Sequence, residues 1–196
     1  MEKIDERVFN KRKQDFLGKI DKSSIGGIDS KIKGLCDKIN SFSDVYTTSS
    51  CSGRILLMID KTKKQQGLFL DVWHDKLGLK KFKKALKKNT LNKDKIKFKQ
   101  ESPLVVVCCK DFDIAKKILN IGKNSGFKRS GIMSVSNKGY MVELMQTEKI
   151  EFPVIQNSRV LVDDEFLELV LERTNKNLEE GWSRIKGFEE RLEGLD

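Results

Sequence analysis

The amino-acid sequence predicts an α+β fold of mixed α/β character, in which a mixed sheet of strand hairpins is flanked by helices and followed by a long C-terminal helix. Segments with the apolar pattern of β-strands occur in pairs, and each pair is followed by a segment with the apolar period of a helix. No Gly-x-Gly-x-x-Gly run lies between a strand and a helix, which argues against a Rossmann-like doubly wound sheet. A length of 196 residues suits one compact domain, and we expect residues 1–196 to form it.

Helices are predicted from caps and apolar stripes. The first covers residues 7–20, and the second begins after Asp29, which is a good N-cap. The second helix should bury Ile32, Leu35, Cys36 and Ile39, which recur at the spacing of one helical face. The remaining helices are predicted over residues 77–91, from an N-cap at Asp113 to a C-cap at Gly126, and from Asp163 or Asp164 onward.

Two continuous apolar runs, residues 55–59 and 104–109, have the composition of buried strands. Residues 68–74 resume as a strand after a short basic turn, so a hairpin with residues 55–59 is expected. That hairpin would bring His74 back toward the end of the sheet where residues 49–53 lie. The other expected strands are 95–101 paired with 104–109 across Pro103, 132–135 paired with 140–145, and the short pieces 151–154 and 160–162.

The composition favours some classes of protein over others. The net charge of +10 suits an anionic partner such as nucleic acid, although a lysine-rich solvated surface would give the same total. No apolar run approaches the length of a membrane span, and the first residues lack the core of a signal peptide, so we expect a cytoplasmic protein with no membrane partner. None of the four cysteines forms a Cys-x-x-Cys pair and His74 is the only histidine, so we expect no metal site.

The least ordinary segment is the hydroxyl-rich run Tyr46-Thr47-Thr48-Ser49-Ser50-Cys51-Ser52-Gly53-Arg54. We interpret it as a loop or strand end that leads into the buried strand at residues 55–59. Its hydroxyls can donate and accept, Gly53 lets the backbone approach a ligand, and Arg54 offers a planar set of donors for a carboxylate or phosphate. A polar turn whose hydroxyls bond the local backbone would explain the same pattern.

The densest positive charge on the chain lies on the predicted helix at residues 77–91. Its outer face carries Lys80, Lys81, Lys83, Lys84, Lys87 and Lys88. Since no acidic residue is interspersed among these lysines, the pattern favours contact with an RNA backbone over a merely solvated face.

The run Ser49-Ser50-Cys51-Ser52-Gly53-Arg54 resembles the signature of the third enzyme family of tRNA wybutosine synthesis. Those enzymes are S-adenosylmethionine-dependent methyltransferases that act on a tricyclic guanosine derivative beside the anticodon of phenylalanine tRNA. Other blocks agree with the family in order along most of the chain. They comprise Asp21, Ser23, Gly26 and Asp29, then Gly67, Phe69 and His74, then Phe98, Lys99 and Glu101, then residues 126–131, and finally Pro153 and Asn175.

The chain departs from the family pattern at several of these blocks. Phe69 stands where the family usually has Trp, and Trp73 stands where it usually has a small hydroxyl residue. Ile25 replaces a basic residue, and Arg129 replaces a residue that is commonly acidic. The strand at residues 104–109 lacks the histidine that the family often carries there, so no role of that histidine can be carried over.

The resemblance implies methylation of ring nitrogen N4 of the 7-aminocarboxypropyl-demethylwyosine base, with S-adenosyl-L-methionine as the methyl donor and phenylalanine tRNA as the partner. His74 or Asp21 would take the proton that the nitrogen loses, and Ser52 is the third expected catalytic residue. The expected donor-binding residues are Ser49, Ser50, Gly53 and Arg54, although Ser50, Ser52 and Arg54 could instead hold the aminocarboxypropyl arm of the base. The expected RNA-binding residues are Lys80, Lys81, Lys84, Lys87 and Lys88, which would hold the anticodon stem, together with Lys128, Arg129 and Ser130.

Two alternatives stay open at the level of sequence. The chain could be a non-catalytic basic RNA-binding module that presents tRNA to a partner enzyme. A lone histidine is more often structural than catalytic, which applies to His74. Cys51 could act as a nucleophile, but methyl transfer to nitrogen needs none, so a packing or hydrogen-bonding role suits it better.

Overall fold

The computed structural model describes residues 4–18, 28–62 and 65–194. The helices among these residues are α1 (Glu6–Leu17), α2 (Ser30–Ser41), α3 (Leu79–Asn89), α4 (Phe112–Asn124) and α5 (Asp164–Arg191), followed by a 3₁₀ turn at Leu192–Gly194. The strands are β1 (Val45–Cys51), β2 (Arg54–Ile59), β3 (Phe69–Trp73), β4 (Ile96–Glu101), β5 (Leu104–Cys109), β6 (Gly131–Ser136), β7 (Gly139–Met145), β8 (Ile150–Gln156) and β9 (Arg159–Val160). The predicted α+β class with a long C-terminal helix is confirmed.

The described strands form two sheets, with the orders β1-β5-β7-β6 and β3-β2-β4-β8-β9. The predicted hairpins β2–β3 and β6–β7 are confirmed. Every recorded strand pair is antiparallel, so the expected mixed sheet is corrected to two antiparallel sheets. Short connections account for the antiparallel β2–β3, β6–β7 and β8–β9 pairs, because a short hairpin can join only antiparallel neighbours.

The predicted pairing of residues 95–101 with residues 104–109 is wrong, because β4 and β5 lie in different sheets. Pro103 lies between them, and proline has a fixed φ and no N–H to donate to a ladder. β4 pairs instead with β2 and β8, whereas β5 pairs with β1 and β7.

The chain divides into two compact units. The first comprises Met1–Ser52, Pro103–Thr147 and Gly181–Asp196, and the second comprises Gly53–Ser102 and Glu148–Glu180. The hydroxyl-rich run therefore crosses from one unit to the other between Ser52 and Gly53. The expectation that residues 1–196 act as one domain stays a prediction.

In the first unit, helices cover both faces of the four-stranded sheet. Ile32, Leu35, Cys36 and Ile39 of α2 are all fully buried, as their spacing predicted. They share a cluster with Val45 and with α4 and the end of α5. On the other face, Phe9 of α1 packs against Tyr46 and Cys108. Because side chains alternate along a strand, neighbouring residues such as Val45 and Tyr46 reach these two separate clusters.

Strand β1 corrects the expectation of a loop or strand end in the hydroxyl-rich run. Its backbone pairs along β5, from Val45 opposite Cys109 to Cys51 opposite Leu104, with a register shift between Thr47 and Ser49. A continuous apolar strand offers a complete ladder of donors and acceptors to its neighbour, and this pairing outweighs the weak strand preference of serine.

In the second unit, a row of aromatic rings forms the core on one face of the five-stranded sheet. Trp73 meets Phe82 of α3 at 6.2 Å between ring centroids, and Phe82 meets Phe98 at 5.5 Å. The row continues from Phe98 to Phe152 at 5.1 Å and from Phe152 to Phe166 of α5 at 5.3 Å. Each such pair stabilises by about 0.5–1.5 kcal/mol beyond the area that it buries.

Helix α4 begins two residues earlier than predicted. Its N-cap is Asp111, whose side chain accepts from the Ile114 N–H at 2.9 Å, so Asp113 lies inside the first turn. The predicted C-cap is confirmed, since Gly126 has φ +96° and the Phe127 N–H donates to the Gly122 carbonyl at 3.0 Å. This closing bond is the one expected of a helix that ends on a left-handed glycine.

Candidate functional site

Ser52 ends the first-unit part of the hydroxyl-rich run and is fully buried. Its hydroxyl donates to Oδ2 of Asp29, while Oδ1 of Asp29 accepts from the Lys31 N–H at 3.2 Å as the N-cap of α2. The Ser52 carbonyl accepts from the indole N–H of Trp182 at 3.1 Å. Ser52 therefore fixes the end of β1 to the start of α2 and to α5, which is a positioning role.

Lys31 adds a positive charge next to this network through its contact with Trp182. The ammonium nitrogen of Lys31 lies 4.2 Å from the centroid of the Trp182 ring, which is cation–π geometry. Sequence reasoning placed Trp182 only on the apolar side of the last helix and did not single out Lys31. The pairing could not be read from the sequence, since it depends on the long return of α5 to the first unit.

Ser49 and Ser50 are neighbours on β1, so their side chains point to opposite faces of the first sheet. Ser50 is hydrogen-bonded to the Cys36 thiol on the α2 side. Burial raises the pKa of Cys36 to about 11, and the bond from Ser50 opposes this shift. Ser49 is exposed and lies opposite Val106. A ligand on one face of β1 would therefore meet the side chain of only one of these serines.

Arg54 belongs to a charge network in the second unit. Its Nε lies 2.6 Å from Oε2 of Glu101, which is directly opposite it in the β2–β4 pair. The Lys99 ammonium lies 2.6 Å from Oε1 of the same carboxylate. Burial alone would raise the pKa of Glu101, but Lys99 and Arg54 outweigh burial and hold that pKa below its usual value. Arg54 and Lys99 therefore share the Glu101 carboxylate, and Glu151 lies opposite Lys99 in the β4–β8 pair.

An irregularity in the β2–β3 pairing places the Phe69 ring next to the Arg54 guanidinium. The Arg54 guanidinium carbon lies 5.1 Å from the centroid of the Phe69 ring, which is about half exposed. Alternation from Trp73 would place Phe69 on the aromatic core face. The register shift next to Leu57 pairs Phe69 with Met58 instead, which moves the ring to the face of Arg54.

Gly53 and His74 lie at the same end of the second sheet. Gly53 is buried and has φ +93°, a conformation that side chains with a Cβ rarely adopt. Trp73 pairs with Ile55, and the next residue, half-buried His74, therefore follows at the end where Gly53 and Arg54 begin β2. The predicted hairpin thus brings His74 to the Arg54 end of this sheet. The expectation that residues 49–51 lie at the end of the same sheet is wrong, because they belong to β1 of the four-stranded sheet.

The six lysines of α3 are all exposed. Lys83 pairs with Asp164 at 2.5 Å and Lys88 pairs with Asp71 at 3.4 Å. For Lys80, Lys81, Lys84 and Lys87, no ion pair with another described residue is recorded.

The second predicted basic block, residues 128–130, is partly committed to the fold. Lys128 and Arg129 are exposed. The Ser130 hydroxyl donates to the Phe127 carbonyl at 2.5 Å and accepts from the Met145 N–H at 3.0 Å, so it closes the turn after α4. The contact of Ser130 with RNA stays a prediction.

Some predicted features fall outside what can be described. Asp21, the candidate proton acceptor, lies outside the described residues, as do Ser23, Ile25 and Gly26. Within the described ranges, no three His, Cys, Asp or Glu side chains are grouped so as to hold a metal ion. No helix in those ranges is long and apolar enough to cross a membrane.

Comparison with known proteins places the chain in a family. The family described as Methyltransferase TYW3 matches residues 11–194. A curated relative from Archaeoglobus fulgidus is 35% identical over 188 residues, covering 94% of this chain and 92% of the relative. One from Methanocaldococcus jannaschii is 33% identical over 173 residues, covering 87% and 89%. Both are named tRNA(Phe) 7-((3-amino-3-carboxypropyl)-4-demethylwyosine(37)-N(4))-methyltransferase.

A solved structure, that of PH1069 protein from Pyrococcus horikoshii, superposes with a TM-score of 0.87 at 30% identity and covers 97% of each chain. The fold and the sequence of this chain therefore resemble those of the PH1069 protein over nearly the whole length of both chains. The family match covers residues 11–194, and the two relatives are 33–35% identical over most of their length. This protein therefore belongs to the TYW3 family of methyltransferases.

Proposed function

We propose that this protein transfers the methyl group of S-adenosyl-L-methionine to N4 of the 7-aminocarboxypropyl-demethylwyosine base of phenylalanine tRNA in the cytoplasm. The similarity to relatives named for that reaction, over 94% of the chain in one case, carries the proposal. The half-buried Arg54 guanidinium and the exposed lysines support it, because both offer donors to anionic ligands.

Arg54 and Glu101 fit the amino-acid end of the methyl donor. That end carries one carboxylate and one ammonium group, and the network offers a guanidinium and a carboxylate side by side. The recorded bond to Glu101 uses Nε, and the guanidinium has further N–H donors on its two terminal nitrogens that suit a carboxylate. When bound, the donor supplies an electrophilic methyl group on a sulfonium sulfur. We assign its carboxylate to Arg54, with Gly53 allowing close approach of the backbone.

The base carries an amino-acid group of the same chemistry on its aminocarboxypropyl arm. Arg54 could hold that arm instead, and kinetics separate the two cases. Replacing Arg54 by Lys keeps the charge and loses the planar set of donors. If Arg54 holds the donor, the KM for S-adenosylmethionine rises and the KM for tRNA does not. If instead the KM for tRNA rises and the KM for S-adenosylmethionine does not, Arg54 holds the aminocarboxypropyl arm of the base.

His74 is the proposed proton acceptor among the described residues. Methyl transfer to a ring nitrogen requires in-line alignment and the loss of one proton from that nitrogen. The β2–β3 hairpin brings His74 to the end of the sheet where Arg54 lies. Asp21, which lies outside the described residues, is the second candidate for the proton acceptor. Ser52 acts as a positioning residue, since it is buried and its hydroxyl donates to the half-buried Asp29.

The test is methyl transfer by purified Ser52→Ala, Arg54→Ala and His74→Ala variants beside the wild type, with tRNA affinity measured in parallel. We expect wild-type turnover on tRNA that carries the demethyl intermediate. Each variant should lose turnover and keep its affinity for tRNA, because none of these residues belongs to the lysine-rich surface. Unchanged turnover in all three variants would overturn the site, and no turnover by the wild type would overturn the function.

A further inference from the structure

The lysines of α3 include a central row, and two of the lysines that flank this row are held in ion pairs. On a helix of 3.6 residues per turn, Lys80, Lys84 and Lys87 follow one another at spacings of four and three and share one stripe. Lys83 and Lys88 flank this stripe and are held by Asp164 and Asp71. These two ion pairs offset charge beside the row. For the row itself, and for Lys81 beside Lys88, no ion pair with another described residue is recorded.

The row is unfavourable for the helix that carries it. Like charges four residues apart destabilise a helix by about 0.2–0.5 kcal/mol per pair. Lys80 also lies in the first turn, where the helix dipole favours acidic residues, and α3 has none there. Its N-cap, Gly78, makes no side-chain cap bond. A row of cations kept at this cost indicates a partner that supplies negative charge.

The row faces away from the Arg54 network. Phe82 of α3 contacts Trp73 and Phe98, which lie on the same face of the second sheet as Ile55. Arg54 is the neighbour of Ile55 on β2, so its side chain leaves from the opposite face. The row lies on the outer side of α3, and both the helix and the sheet separate it from Arg54. A ligand group held by Arg54 cannot touch this row.

We propose that Lys80, Lys84 and Lys87 form a docking surface for the phosphate backbone of tRNA, separate from the site that holds the reacting base. The inference rests on the proposed function for its choice of RNA. Lys80 and Lys87 lie seven positions apart, about 10 Å along the helix at 1.5 Å per residue. Phosphates repeat along a nucleic-acid strand, so a row of three cations can meet more than one of them. A regularly spaced polyanion fits this row better than a single small anion.

The test compares two triple variants that each remove three positive charges. K80Q/K84Q/K87Q removes the row, and K116Q/K117Q/K123Q removes three exposed lysines of α4 in the first unit. Affinity for an unmodified phenylalanine tRNA transcript is measured as a function of salt. We expect the row variant to flatten the slope of log K against log salt by about 2–3, at about 0.7–0.9 per phosphate contact. We expect less than half that change for the α4 variant.

Two further readouts separate docking from folding and from chemistry. The row variant should be as stable as the wild type or more so at low salt, because it removes repulsion within α3. With tRNA carrying the intermediate, its KM for tRNA should rise at least about tenfold while kcat is kept. An unchanged salt slope, or an equal change in the α4 variant, would overturn the docking surface. Failure of the wild type to methylate would overturn the proposed function and leave the slope comparison to decide the docking surface.

Discussion

Replacing Glu101 by Gln tests whether its carboxylate holds Arg54 in place. The change removes one negative charge from between two cations and keeps the size of the side chain. Arg54, Lys99 and Glu101 have side chains between 26% and 28% exposed, so the pairs are neither fully buried nor at the open surface. Surface pairs contribute about 0–1 kcal/mol, whereas removing one partner of a buried pair costs about 3–5 kcal/mol. We expect a loss of about 2 kcal/mol in the free energy of unfolding.

The loss should depend on pH with a defined sign. The pKa of Glu101 is lower in the folded protein than its usual value, so its contribution is fully present above the usual carboxyl pKa of about 4.3. The contribution is lost as the pH falls through the lower, folded-state pKa, because the protonated carboxyl then resembles the amide of Gln. Urea unfolding of both proteins should show the full difference near pH 7 and a shrinking difference below about pH 4.

The control is Glu151→Gln on the same sheet. Glu151 pairs with Lys97 at 2.7 Å, and Lys97 also pairs with Asp60 at 3.2 Å. This control removes a carboxylate that lies opposite Lys99 in the β4–β8 pair and is ion-paired with Lys97, and it keeps the Arg54–Glu101 bond. We expect it to keep the KM for S-adenosylmethionine, whereas Glu101→Gln raises it. Equal kinetic constants for both variants would refute the role of the Arg54 network, and a stability difference that persists at low pH would refute its electrostatic origin.

The remaining predictions concern the run that joins the two units and the core beside it. Gly53→Ala should destabilise the protein by about 1–2 kcal/mol in urea unfolding because of the positive φ, whereas Gly131→Ala, which has open space for a Cβ, should change it little. Ser52→Ala should cost about 1–2 kcal/mol by removing a buried hydroxyl that donates to the half-buried Asp29 carboxylate, and exposed Ser49→Ala should cost almost nothing. Alkylation of Cys36 at pH 8 should be slow in the folded protein and fast in urea, since burial raises its pKa to about 11; equal rates would contradict this burial.

Elements with a strong local pattern were predictable from the sequence. α2 is an example, because Asp29 supplies its cap and four apolar residues recur on one face, and all four are buried. The β2–β3 hairpin followed from two apolar runs around a short turn, and it placed His74 correctly relative to β2. Both features depend on residues close together in the chain, which is where sequence periodicity is informative.

Features that depend on distant residues were missed. β1 is a strand because β5 pairs with it, and no local preference of its serines indicates that partner. A register shift next to Leu57 moves Phe69 under Arg54, and alternation of the sequence pointed to the other face. Glu101 was matched only as part of a block, although its place opposite Arg54 sets the charge of the candidate site. Cross-strand partners of this kind are fixed by register, which the sequence alone does not state.

The most direct test is methyl transfer from labelled S-adenosylmethionine to phenylalanine tRNA that carries the demethyl aminocarboxypropyl intermediate, with unmodified tRNA as the control. We predict label on the intermediate-bearing tRNA alone. Absence of label on both, together with salt-sensitive binding of the same tRNA, would contradict the methyltransferase proposal and favour a non-catalytic RNA-binding module.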